Sequence, residues 1–309
     1  MADRPIILPT GTQVVTRTAL PRGGGTERPR GAVGVVVRAP LDGRHGYRVR
    51  FPDGDEATLR RGDFAVRRQA LREGIDDVLD PMAEHDLYSH VVLRVVVGSR
   101  AYGLDEPGSD TDLRGVYLPP AALHWSLVGV PEQLENRERD EVYWELQKFL
   151  SLALKANPNV LECLYTPRVE FAAPVGEELR AMRDAFLSKL VYQTYSGYVM
   201  SQFKKLRRHR EAHGAAKPKH VMHLVRLLLS GIELLERGHL RVEVGEHRDR
   251  LLAIRRGETE WDDVDRWRTE LHERFDRAYT QTALPERPDY ARANDFLVRA
   301  RRSMVEGAR

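Results

Sequence analysis

Val95-Val96-Val97-Gly98-Ser99-Arg100-Ala101-Tyr102-Gly103-Leu104 and, just after it, Gly108-Ser109-Asp110-Thr111-Asp112-Leu113-Arg114-Gly115-Val116 decide the fold. The first run reads as an apolar strand ending in a Gly-Ser turn, the second as a strand carrying alternate aspartates. Successive strand side chains point to opposite faces, so Asp110 and Asp112 are predicted on one face and Thr111 and Leu113 on the other. Two carboxylates so close repel unless cations sit between them. Oxygen donors of this kind suit Mg2+.

The Gly98-Ser99 pair ends an apolar run too continuous for a half-exposed strand, and glycine lets backbone approach a ligand where a side chain would block it. Free N–H groups at such a turn cradle phosphate. In this order and spacing, GSRAYGL followed by SDTDLRGVYLPP resembles the signature of the DNA polymerase beta-like nucleotidyltransferase superfamily. Within it the chain is similar to the YcgL-like group of RNA-ligase-associated nucleotidyltransferases. Trp144-Glu145-Leu146-Gln147-Lys148-Phe149, Asn157-Pro158-Asn159-Val160-Leu161-Glu162 and Lys219-His220-Val221-Met222-His223-Leu224-Val225-Arg226-Leu227-Leu228 agree with it. The resemblance covers roughly residues 75 to 300.

That resemblance implies a two-metal nucleotidyl transfer. Asp110 and Asp112 bind two Mg2+ or Mn2+ ions, and a third carboxylate on a neighbouring strand completes the catalytic one. Trp144-Glu145-Leu146 has the implied form, an acid flanked by apolar residues, so Glu145 is the first choice and Glu141 and Asp140 the alternatives. Gly98 and Ser99 hold the β- and γ-phosphates of a nucleoside triphosphate, ATP being favoured, while Arg100, Ser109 and Arg114 flank the site. On a later helix His223 and Arg226 are i, i+3 neighbours with Lys219 one turn earlier, near enough to one face to hold an anionic group. Such residues are more often structural hydrogen-bonders than ligands.

Composition bounds the rest. At 309 residues the chain exceeds what one hydrophobic core usually serves. With 41% hydrophobic and 31% charged residues it reads as soluble, and no apolar run approaches the ~20 residues that cross a bilayer. The opening Met1-Ala2-Asp3-Arg4-Pro5 is not a signal peptide, so a cytoplasmic location is expected. The single cysteine, Cys163, lies in an apolar helical pattern and reads as core. A formal charge of +3 permits nucleic-acid contact without demanding it. More telling is the basic run Lys204, Lys205, Arg207, Arg208, His209 and Arg210, with Lys217 and Lys219 beyond it, which reads either as a solvated helix end or as a contact to triphosphate or a nucleic-acid acceptor.

The expected architecture is a multidomain α+β chain in three parts: residues 1–71, 72–173 and 174–309. In the first, runs at residues 13–17, 31–38, 47–51, 57–60 and 64–67 are short and β-rich, separated by turn formers such as Asp53-Gly54. They predict a small SH3-like barrel, a binding module rather than a catalyst. Arg22-Gly23-Gly24-Gly25 is no P-loop, because no Gly-Lys-Ser/Thr follows. In the second part, residues 72 to about 90 read as helical, 132–140 as a polar loop, 141–146 as a strand and 147–164 as helix interrupted at Asn157-Pro158. The third part is a helical bundle for substrate or nucleotide, with Val221, Leu224, Val225, Leu228, Ile232 and Leu235 striping one helix that Gly238 closes. His209 and His213 are spaced i, i+4 but lack the glutamate of a zinc-protease helix.

The RNA-ligase association implies RNA-end repair or tailing, possible with a partner ligase. The same core also transfers nucleotides to proteins and small molecules, so AMPylation or metabolite nucleotidylation is the enzymatic alternative and a non-catalytic nucleotide- or RNA-binding module the other. The oligomeric state is left open.

Overall fold

In the computed structural model, residues 8–21, 26–40, 45–67, 70, 86–213 and 217–306 are described. The chain divides into two units, Met1–Glu84 and His85–Arg309.

The N-terminal unit comprises β1 (Gln13–Thr16), β2 (Leu20–Pro21), β3 (Glu27–Arg28), β4 (Val33–Arg38), β5 (Tyr47–Arg50), β6 (Glu56–Leu59) and β7 (Phe64–Val66). β2 and β3 form a hairpin, and the other five make an antiparallel sheet in the order β6-β5-β4-β1-β7. Alternation places Val14, Val36, Tyr47, Val49, Leu59 and Phe64 in one apolar core. Tyr47 packs edge-to-face on Phe64, and the Arg28 guanidinium lies over Phe51 with Asp53 as its ion-pair partner. The five expected strands are present, but among the described residues β6 and β7, at the two ends of the sheet, do not pair. Among the described residues, then, no closed barrel is formed: alternation and turn residues specify strands, while closure depends on long-range pairing.

The second unit is built on β8 (Val91–Val97), β9 (Asp112–Tyr117), β10 (Gln133–Asn136), β11 (Glu141–Glu145) and β12 (Val169–Ala172). Its sheet has the order β10-β11-β9-β8-β12, and only the β9–β11 pair is parallel. Most of the predicted helix over 72–90 lies outside the described residues; Leu87–His90 is a 3-10 turn. The stretch expected as a loop over 132–140 contains β10. Only Leu134 of that strand is buried, so its polar composition hid an edge strand.

Ten α-helices among the described residues complete this unit. They are α1 (Gly98–Tyr102), α2 (Ala121–His124), α3 (Leu146–Ala153), α4 (Pro158–Tyr165), α5 (Pro174–Ala181), α6 (Leu190–His213), α7 (Pro218–Arg237), α8 (Arg248–Arg256), α9 (Trp261–Gln281) and α10 (Tyr290–Glu306). The interruption at Asn157-Pro158 is real: Asn157 caps α4 by accepting from the backbone N–H groups of Asn159 and Val160, and Pro158 fills the first helical position. Helix α7 carries the predicted apolar stripe, wholly buried, and packs chiefly on α6, α8 and α9. The sequence draws a line at residues 173–174, yet one apolar core runs across it, joining Leu93, Val116 and Phe149 to Leu179, Val225, Phe275 and Phe296.

Candidate active site

The chain leaves β8 extended at Val97 and enters α1 through Gly98, whose φ of +71° is a conformation that glycine adopts without strain. A Cβ on Gly98 would fall 2.2 Å from Oδ2 of Asp112, the residue paired with Val97 across the β8–β9 ladder. The turn's backbone therefore rests against a carboxylate. The first N–H groups of α1 have no intrahelical acceptor and are available to an anion.

Asp112 opens β9, while Asp110 sits in the loop before it rather than on the strand. That loop is fastened by two residues expected to hold phosphate. Arg100 donates from Nη2 to the Ser109 carbonyl at 2.8 Å and from Nε to the Asp110 carbonyl at 3.3 Å. The Ser109 hydroxyl accepts the Glu106 backbone N–H. Burial holds the Asp112 carboxyl above its usual range, Asp140 and Asp110 push the same way, and Arg114 and Lys219 oppose them. Two further carboxylates and a lysine from the first turn of α7 thus reach Asp112.

Glu145 is not among them. β11 runs parallel to β9 with Glu141 beside Leu113 and Glu145 beside Tyr117, so Glu145 lies five rows, or about 16 Å, beyond Asp112. There it is buried, caps α3 by accepting from the Gln147 and Lys148 N–H groups, and pairs with Arg301 of α10. The apolar flanks that recommended it are those of a buried capping residue. Glu141 is at the right end but shares a face with Leu113; Asp140, in the turn just before β11, is near enough for its charge to act on Asp112. Asp140 has φ +50°, sparsely populated for a residue with a Cβ, and its carbonyl accepts from the Leu113 N–H and from Arg114. Among the described residues no group of three or more His, Cys, Asp or Glu side chains is closed up into a metal site. The donors that are present suit Mg2+, which keeps water and is commonly held by one or two carboxylates together with substrate phosphate.

Helix phase sorts the basic residues. Lys204 is exposed on α6, and its neighbour Lys205 is the one that lines the cleft between α6 and α7. His223 and Arg226 line a connected cavity. Arg226 is buried and donates from Nη1 to Glu162 Oε1 at 2.7 Å, while the Tyr102 hydroxyl donates to Glu162 Oε2 at 2.6 Å. Burial opposes the Arg226 charge, but the Glu162 carboxylate together with Tyr102 and Tyr195 outweighs it and holds the guanidinium protonated. This triad joins α1, α4 and α7 behind the Gly98 turn. The one sequence signal for it is an acid, Glu162, inside an apolar run.

Burial first, then Arg226, Lys219, His220 and Arg255, pushes His223 down to about 4, so the fold keeps this ring neutral. As pH falls from about 6.5 toward that value, the unfolded chain takes up a proton that the folded chain refuses, and stability drops. His223→Gln is expected to flatten that loss, read as urea midpoints at about pH 7 and about pH 5. Equal losses in both proteins would assign the acid sensitivity to other groups.

A Gly-Ser turn closing on a strand-borne aspartate, backed by a mixed sheet and a helical half, is the arrangement expected of the polymerase-beta-like nucleotidyltransferase group. Residues 71–299 match the RNA repair pathway DNA polymerase beta family, and the chain belongs to that family. It is 26% identical over 170 residues to an uncharacterized protein of Methanocaldococcus jannaschii, covering 53% of this chain and 68% of that one. It is also 35% identical over 97 residues to the uncharacterized protein YcgL of Bacillus subtilis, covering 30% of this chain and 37% of the relative.

Proposed function

We propose that the protein moves a nucleoside monophosphate from a nucleoside triphosphate to an acceptor hydroxyl on an RNA end, releasing pyrophosphate. The observation that carries this reading is the Gly98 turn resting on the Asp112 carboxylate, with Asp110, Asp140 and Lys219 acting on the same group. The turn's N–H groups would take oxygens of the β- and γ-phosphates, and Lys219 would neutralise charge left as pyrophosphate departs. Asp110, Asp112 and Asp140 would hold Mg2+, which when bound supplies charge neutralisation and lowers the pKa of the acceptor hydroxyl. Arg100 and Ser109 act one step back, by fixing the loop that presents Asp110. The rest is positioning: the acceptor oxygen attacks the α-phosphorus in line, and the bond to pyrophosphate breaks.

The RNA acceptor rests on membership of an RNA repair family. The N-terminal unit, a five-stranded antiparallel sheet with arginines along its strands, Arg38, Arg48 and Arg50 among them, is read as the module that binds it. No described helix is long and apolar enough to cross a membrane. The test is transfer of label from α-labelled ATP, CTP, GTP and UTP, with Mg2+ or Mn2+, to cellular RNA and protein. Label in RNA is expected. Label confined to protein would replace the reading by protein nucleotidylation, and nucleotide or RNA binding without transfer to either would replace it by a binding module.

A further inference from the structure

The cavity beside the triad has a volume of about 520 Å³ and brings together segments far apart in sequence: Tyr102 from α1, Asn159 from α4, Gly197, Tyr198 and Ser201 from α6, and Arg226 from α7. Among the described residues no aspartate or glutamate lines it, nor the adjoining cleft that shares Tyr198 and His223. Two features ask for an occupant. Arg226 is 5% exposed, and its Nε has no hydrogen-bond partner although the residue lines the cavity. Gly197 sits inside a 24-residue helix, where glycine is unfavourable, and a Cβ there would meet nothing within 4 Å. No neighbour requires a glycine at that point; its bare backbone widens the cavity and admits a flat group against the helix. Next to it Tyr198, 51% exposed, lies on the cavity wall.

We infer that this cavity seats the nucleoside of the incoming nucleoside triphosphate, its base lying on Tyr198 and over Gly197. Aromatic rings bind bases through their π-faces without needing one base edge. Ser201 and Asn159 offer polar contacts to the base edge or ribose. Tyr102 ends the short helix that Gly98 begins, about 6 Å further along its axis, so a nucleoside here adjoins phosphates at the Gly98-Ser99 turn. The inference rests on the transfer reading for the placement of those phosphates. It assigns the cavity to the nucleotide and leaves the acceptor elsewhere.

Calorimetric titration of the full chain with Mg2+-ATP and with Mg2+-tripolyphosphate, which lacks a nucleoside, separates the possibilities. Gly197→Leu fills the space and Tyr198→Ala removes the ring. Both sites are exposed, so both variants should keep the fold, and Gly197→Leu should melt no lower than the parent because leucine favours helix. Each is expected to weaken ATP about tenfold or more while leaving tripolyphosphate unchanged. Unchanged ATP affinity in either variant, or equal weakening of both probes, overturns the inference, as does a rise only in the acceptor KM. A parent protein that binds ATP in this Tyr198-dependent way but transfers nothing would instead remove the transfer reading and leave the cavity assigned.

Discussion

Asp112→Asn is expected to lower nucleotidyl transfer by about three orders of magnitude, to the level of an oriented but uncharged site, without lowering the melting temperature. Asparagine keeps the shape against which the Gly98 backbone rests and removes only the charge. The fold already opposes that charge: burial, Asp140 and Asp110 hold the Asp112 carboxyl above its usual range. At neutral pH the ionised carboxylate is therefore a cost to the folded state, and a residue that cannot ionise relieves it. Asp110→Asn and Asp140→Asn are expected to lose transfer in the same way, whereas Glu141→Gln, on the opposite face, is not. Glu145→Gln gives the contrasting signature. It weakens a helix cap and the pairing with Arg301, so melting temperature falls while turnover per folded molecule persists. Parental turnover in Asp112→Asn, or loss of chemistry without loss of stability in Glu145→Gln, would show that the wrong carboxylates have been chosen. Single-turnover transfer and thermal denaturation on the same preparations decide between these outcomes.

The choice between Glu145 and Asp140 also marks where sequence reasoning stops. Gly98, Ser99, Asp110 and Asp112 lie within fifteen residues of one another, and their chemistry follows from local rules about turns and alternation. The third carboxylate depends on which residue of β11 stands beside which residue of β9. A shift of one residue moves every side chain to the other face, and no composition signal carries that register. The spacing of Lys219, His223 and Arg226 on one helix was legible, but what each faces was not. Lys219 acts on Asp112, whereas the anion that Arg226 holds is the protein's own Glu162. Which of Lys204 and Lys205 lines the cleft between α6 and α7 is a matter of helix phase that the basic run by itself does not fix. Gly197 had no signal at all, since a helical glycine acquires meaning only when the space above it is known.

Glu162→Gln is expected to destabilise the second unit by about 3–5 kcal/mol, the range seen when one partner of a buried ion pair is removed. Both side chains are almost wholly shielded from water, at 3% and 6% exposure, so neither charge can be rehydrated in place. Glutamine keeps a hydrogen-bond acceptor for the Tyr102 hydroxyl but leaves the Arg226 guanidinium, 3.7 Å from the centroid of the Tyr102 ring, without a counter-charge. For a unit of this size the loss corresponds to a melting temperature lower by roughly 10 °C. Arg226→Met should cost a similar amount by stranding the carboxylate. The double variant Glu162→Gln/Arg226→Met should recover part of the loss, because two uncharged groups remove the desolvation penalty together. Additive losses in the double variant would mean that the two residues act through packing alone. Any recovery would establish coupling between α4 and α7 through the group that also anchors Tyr102. Since α1 spans only Gly98 to Tyr102, the helix that begins at the Gly98-Ser99 turn is held from behind by this pair. The single variants are therefore expected to lose transfer before they unfold, and the double variant, which still lacks the Tyr102 anchor's charge, to regain stability more fully than activity.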